Sequence, residues 1–269
     1  MFTTLVVPLD GSPLAATALG PAAAIARRAG ASVDLVTVTS PGIGTLNDEL
    51  MLKEAASTLG DVARSRTVIE SNDAPSSIVG AATSDDALLC MATHGHTGLV
   101  RAVLGSTAEA VLRSTSRPVV LVGPRATTPP AWDVLQVCVD TSSPESRRVV
   151  PVALAMARTL GARLWLTEVQ PARRLATPAD VVEASGLEAI AAVLQRDGID
   201  VEWEVFHGDD VVEELLRVRA ELDASLLVTT THARAGIARA ALGSVTMALV
   251  HDAPCPVLVV PPVPATEVL

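Results

Sequence analysis

The sequence predicts an α/β fold of two tandem doubly wound domains, each a five-stranded parallel sheet with helices on both faces. Three observations lead there. Short β-branched runs alternate with amphipathic or alanine-rich stretches of helical length, which implies right-handed crossovers between parallel strands. The runs LVVPL, ALLCM and PVVLV are almost continuously apolar, as expected for strands covered on both faces. Finally, the pattern of the first half recurs in the second.

In chain order, strands are expected near residues 4–9, 32–38, 66–71, 87–92 and 118–122. Helices are expected between them, near 13–28, 47–64, 75–84 and 105–114. TLVVPLD ending at Asp10 recurs as LQVCVD ending at Asp140, each followed by a serine-proline turn. Gly30-Ala31 before VDLVTV matches Gly161-Ala162 before LWLTEV, and ALLCMATHG matches SLLVTTTHA. VLGST matches ALGSV, and RPVVLV matches CPVLVV. Between the repeats, Pro124 to Ala131 carries three prolines and no periodicity, the signature of a linker. The expected division is 1–124 for one domain, 125–131 for the linker and 132–269 for the second domain.

The chain has 269 residues, enough for two domains of ordinary size. Hydrophobic residues make up 49%, yet the longest uncharged stretch, Gly11 to Ala26, is 16 residues, short of the roughly 18 of a membrane span. Asp10 interrupts the first apolar run and no basic segment precedes it, so no secretory signal is expected and the protein reads as cytoplasmic. Cys90, Cys138 and Cys255 are odd in number and lie within or beside apolar runs, which fits buried free thiols. A net charge of −10 argues against nucleic acid as a partner. With two phenylalanines, three tryptophans and no tyrosine, stacking platforms for bases are also lacking.

In a doubly wound sheet, ligands sit beyond the strand C-termini where the strand order reverses. If the first three strands step outward and the fourth returns beside the first, that crevice lies between Asp10 and the segment THGHTGLVRAVLGST, Thr93 to Thr107. Gly95 and Gly98 permit close backbone approach, and Gly105, Ser106 and Thr107 fall where a helix begins, a combination suited to an anion. The segment is not a GxxxxGK[ST] loop. Ser106-Thr107-Ala108-Glu109 also reads as a capping box, with Ser106 bonding the helix backbone and Glu109 reaching back. Glycine spacing leaves cradle and cap both open.

From Ala92 to Ser106 the spacing resembles the nucleotide motif of the universal stress protein family, G-x2-G-x9-G-[ST], with alanine for the first glycine. The resemblance covers nearly the whole chain in the tandem two-domain form, and implies strand order 3-2-1-4-5. It implies that Pro8, Leu9, Asp10 and Val38 hold adenine and ribose, while Ala92, Gly95, Gly105, Ser106 and Thr107 face ribose and phosphates. In the second half Asp140, Val169, Gly243, Ser244 and Val245 match, but Thr230 and Ala233 replace two glycines and narrow the approach. The implied cofactor is ATP, with or without Mg, among other adenine nucleotides. The implied role is a stress or dormancy regulator acting through nucleotide-dependent conformation or an unidentified protein partner. Family members pair through the last strand, so the halves are expected to form an intramolecular pseudo-dimer, with a homodimer of whole chains as a further assembly.

Other residues carry weaker signals. His94 and His96 flank Gly95 without an acidic or cysteine partner, and the recurrence of His94 as His232 fits a hydrogen bond that shapes the loop better than a metal. Asp85-Asp86 and Asp209-Asp210 read as turn residues or helix starts. Arg101 fits an exposed arginine or a phosphate contact. No base or arginine clamp for phosphoryl transfer is visible, so at most slow ATP hydrolysis is expected. Two alternatives stand beside the regulator: a nucleotide-independent interaction module, and a nucleotidyl-transfer enzyme of the wider α/β group.

Overall fold

The computed structural model describes residues 2–82, 84–93, 104–170, 178–231 and 243–261. In the first half the elements are β1 (Thr4–Pro8), α1 (Pro13–Ala16), α2 (Leu19–Ala29), β2 (Ser32–Thr39), α3 (Leu46–Leu59) and β3 (Ala63–Glu70). They continue with α4 (Ala74–Ala81), β4 (Ala87–Ala92), α5 (Ser106–Ser114) and β5 (Val119–Val122). The second half repeats the plan with β6 (Val134–Cys138), α6 (Val149–Leu160), β7 (Arg163–Gln170), α7 (Pro178–Arg196) and β8 (Val201–His207). It ends with α8 (Val211–Leu222), β9 (Leu226–Thr230), α9 (Ser244–Asp252) and β10 (Val257–Val260).

The expected strand order 3-2-1-4-5 is present in each half. The two sheets are joined as one ten-stranded sheet, β3-β2-β1-β4-β5-β10-β9-β6-β7-β8. Every pairing within a half is parallel, and the seam between β5 and β10 is antiparallel, with Val257 opposite Leu121, Leu258 opposite Val120 and Val259 opposite Val119. Each half thereby covers the edge strand of the other, which an apolar edge requires. Two cores run through the molecule, one on each face of the sheet. One holds Leu5, Ile25, Leu35, Leu135, Leu164 and Leu258, and the other Val6, Met91, Val111, Leu121, Leu227 and Val257.

Three of the boundaries that differ from the sequence reading do so for a clear local reason. The helix expected over 13–28 breaks between α1 and α2. Pro21 has no N–H for the carbonyl of Thr17, so the first segment closes at Thr17 and Pro21 enters the first turn of a new helix, where it is tolerated. The helix expected to reach 64 ends at Leu59, because Gly60 leaves helical geometry at φ +64°. β3 therefore begins at Ala63, three residues early. The matched glycines Gly30 and Gly161 both close a helix at φ +64° in the left-handed region, which explains their recurrence.

Asp85 and Asp86 lie in a turn, and Asp210 caps α8, as their types suggested. The Asp210 carboxylate accepts from the backbone N–H groups of Val212 (2.9 Å) and Glu213 (3.1 Å). Asp210→Ala should therefore cost about 1 kcal/mol, read as a lower urea midpoint. All three cysteines are free and buried, and burial pushes the Cys90 and Cys138 thiols up to about 12.

Several carboxylates are held below their usual range. The Ser76 hydroxyl and backbone N–H do this for Asp73, the Ser84 and Thr3 hydroxyls for Asp86, and Arg217 for Glu214. A carboxyl whose folded value is depressed stabilises the fold above its unfolded value, about pH 4, and the contribution disappears as pH falls through the folded value. The urea midpoint should accordingly be level from pH 7 to about 5 and fall below about pH 4. A flat profile down to pH 3 would contradict it.

Candidate functional site

The strand order reverses between β1 and β4, and a cavity of about 270 Å³ opens at their C-terminal ends. This is just below the roughly 300–1,000 Å³ typical of small-molecule sites. Pro8, Leu9 and Asp10 enter from the end of β1, and Val36 and Val38 from β2. Ala74 and Ile78 face it from α4, Met91, Ala92 and Thr93 from β4, and Gly105 to Ala108 from the start of α5. Eight of the nine residues expected at the first site, Pro8, Leu9, Asp10, Val38, Ala92, Gly105, Ser106 and Thr107, thus share one cavity. The ninth, Gly95, lies outside the described residues, as do Gly98, Arg101 and the histidines His94, His96 and His232.

Local chemistry sets both walls. The backbone N–H of Leu9 donates to the Val36 carbonyl at 2.8 Å, continuing the β1–β2 ladder past the end of the strand. Asp10 then folds an Asx turn, accepting from the N–H of Ser12 at 2.9 Å. Ser12 in turn caps α1 by accepting from Ala15 N–H at 3.0 Å. On the opposite wall the Gly105 N–H donates to the Thr93 carbonyl at 2.7 Å, pinning the start of α5 to the end of β4.

The capping box expected at Ser106 is not formed. Gly105 occupies the cap position and, having no side chain, makes no cap bond to the first turn. Ser106 is already the first helical residue, and Glu109 turns the other way to pair with Arg113 one turn on. A helix start without a side-chain cap keeps unsatisfied N–H donors and the positive end of the helix dipole, here at the cavity wall. Beside it lies an apolar surface made of Val36, Val38, Ile78 and Met91. An anion-binding end next to an apolar slot can hold a flat ring system carrying phosphate.

The sequence reading missed Ala15, Val36, Ala74, Ile78 and Met91. Val36 was within reach, since a strand repeats its faces every second residue and Val38 had been singled out. Ala74 and Ile78, one helical turn apart, required knowing that α4 packs on β2.

In the second half Asp140, Val169, Gly243, Ser244 and Val245 take the corresponding places: after β6, near the end of β7, and at the start of α9. Asp140 repeats the Asx turn, accepting from Ser142 N–H at 3.0 Å, and Gly243 caps α9 without a side-chain bond. Among the described residues there is no group of three or more His, Cys, Asp or Glu placed to hold a metal ion, and no helix long and apolar enough to cross a membrane.

The universal stress protein family matches twice, over residues 1–123 and 133–261. A universal stress protein from Archaeoglobus fulgidus shares the fold at TM-score 0.70 and 18% identity, over 96% of this chain and 98% of that one. A putative universal stress protein from Pseudomonas aeruginosa aligns at TM-score 0.69 and 19% identity, over 97% and 94%. A shorter universal stress protein from Archaeoglobus fulgidus, solved in complex with dAMP, covers 48% of this chain at 21% identity and TM-score 0.40, with 98% of its own length aligned. No curated protein sequence matches. The two family matches span most of the chain, and it belongs to the universal stress protein family in its tandem two-domain form.

Proposed function

We propose that the first half binds an adenine nucleotide, ATP in the first instance with Mg on its phosphates, and that the protein is a cytoplasmic stress or dormancy regulator. The observation that carries this reading is the pairing of two chemistries in one cavity. The first turn of α5 at Gly105, Ser106 and Thr107 has no side-chain cap, and it opens beside the apolar surface of Val36, Val38 and Met91. Phosphates would meet the helix N-terminus, and the base would lie against the apolar wall. Asp10, exposed and lining the cavity, would meet the ribose. In this reading residues 125–131 divide the halves, and the shared sheet carries a change at the cavity to the rest of the molecule. The test is equilibrium dialysis of the intact protein against ATP, AMP and cyclic AMP. Saturable binding of at least one supports the reading, and no binding of any of them overturns it.

A partner-binding role has its own support. Ile43, Leu46 and Leu50 are 74%, 69% and 55% exposed, an apolar stripe running from the loop after β2 into α3. Surfaces of this kind mark interaction sites when they are contiguous. If the protein acts only as an interaction module, substitutions in this stripe will abolish its regulatory effect while Gly105→Val leaves it intact.

A further inference from the structure

Among the described residues the exposed large apolar side chains are Leu14, Ile43, Leu46, Leu50 and Val193, and three of these five fall within the eight positions 43–50. Single exposed leucines are ordinary, whereas a cluster marks a surface that meets something. The geometry of α3 shows where they point. At 3.6 residues per turn, Leu52, Ala55 and Leu59 share one side of the helix and are buried in the core. Leu46 and Leu50 lie on the opposite side, one turn apart, and add little to the packing of the fold.

That outward side has the spacing of a helix that pairs with another. Leu46, Leu50, Lys53 and Ser57, all exposed, follow one another at intervals of four, three and four residues, the seam positions of a heptad. Glu49 and Glu54, also exposed, then fall at the two positions that flank such a seam, where charge selects the partner. The Thr45 hydroxyl donates to Glu49 at 3.0 Å, which leaves its charge in place. A second copy is a poor occupant. A parallel pair would set Glu49 against Glu54 of the second copy, and an antiparallel pair would set each glutamate against its own equivalent. A stable dimer also buries about 800 Å² on each partner from about 20–30 residues, and one face of a 14-residue helix offers far fewer. The net charge of −10 opposes both a second copy and an anionic lipid surface. A cationic helix meets neither obstacle.

We propose that the outward face of α3 docks a basic amphipathic helix of another protein, with leucine or isoleucine in its seam and lysine or arginine beside it. Leu46 and Leu50 pack on the partner's apolar face, Ile43 extends that contact before the helix begins, and Glu49 and Glu54 pair with the flanking cations. The proposal deepens the partner-binding reading above and rests on it.

The probes are two synthetic helical peptides of about three heptads, with leucine at the seam and either lysine or glutamate at the flanking positions. Their binding to the intact chain is read by fluorescence anisotropy at about 0.15 M salt, where long-range attraction is screened. The lysine peptide should bind one per chain, about 10-fold or more tighter than the glutamate peptide. Glu49→Lys/Glu54→Lys should reverse that preference. Leu46→Ser/Leu50→Ser should weaken the lysine peptide about 10-fold or more with an unchanged urea midpoint. Equal binding of the two peptides, or lysine-peptide binding undiminished in Leu46→Ser/Leu50→Ser, would overturn the proposal. So would a wild-type dimer that dissociates in that variant, or capture of phosphatidylglycerol vesicles through the same leucines. Loss of the regulatory effect in Leu46→Ser/Leu50→Ser, with neither peptide bound by the wild type, would end this proposal and leave the partner-binding reading in place. Lysine-peptide binding through these leucines, with the regulatory effect untouched by their replacement, would do the reverse.

Discussion

Gly123→Val is expected to destabilise the protein by about 3 kcal/mol, lowering the melting temperature by roughly 6–12 °C. Gly123 follows β5 directly, at the seam that joins the halves. A Cβ there would lie 1.8 Å from the carbonyl oxygen of Val250 and 3.0 Å from its carbonyl carbon, in the backbone of α9. No side-chain rotation relieves such a contact, so either α9 or the end of β5 must move. The seam has three opposed residue pairs, and Arg125–Asp252 at 3.2 Å and Thr127 N–H to the Pro254 carbonyl at 3.0 Å hold the chain beside it. Displacement of β5 therefore loosens several contacts together. Gly80→Ala in α4 is the control: nothing lies within 4 Å of its added Cβ, so it should be neutral or stabilising by up to about 1 kcal/mol. Urea midpoints of the two variants measure the difference, and wild-type stability in Gly123→Val would contradict the close approach at the seam.

The second large effect is on binding. Gly105→Val should weaken ATP about 100-fold or more while leaving the fold intact. Gly105 has φ −58° and ψ 144°, a conformation open to any residue, so valine adds bulk without backbone strain. Its N–H can still reach the Thr93 carbonyl. Gly105 lines the cavity beside Ser106 and Thr107, so valine there adds bulk where phosphate must approach the helix end. A circular dichroism spectrum and urea midpoint like those of the wild type, with binding lost, is the expected pair of results. Undiminished binding would remove Gly105 from the site.

Much of this architecture was legible because periodicity and repetition report burial directly. LVVPL and ALLCM could be read as covered strands, and the recurrence of Gly30 as Gly161 marked two helix ends of one shape. Boundaries were less legible where two local signals competed. Pro21 in an alanine-rich run breaks a helix or starts one, and only packing against β1 and β2 places α2 on its own axis. The S-x-x-E pattern at Ser106 was overridden because Gly105, anchored through its N–H to Thr93, takes the cap position one residue earlier.

The most direct test of the nucleotide site is the stoichiometry of ATP bound to the purified intact chain, measured by isothermal titration calorimetry beside Gly105→Val and Gly243→Val. One ATP per chain, lost in Gly105→Val and retained in Gly243→Val, is the predicted result. No ATP bound to the wild type, or one ATP that survives Gly105→Val, would contradict the assignment of the first cavity as the nucleotide site.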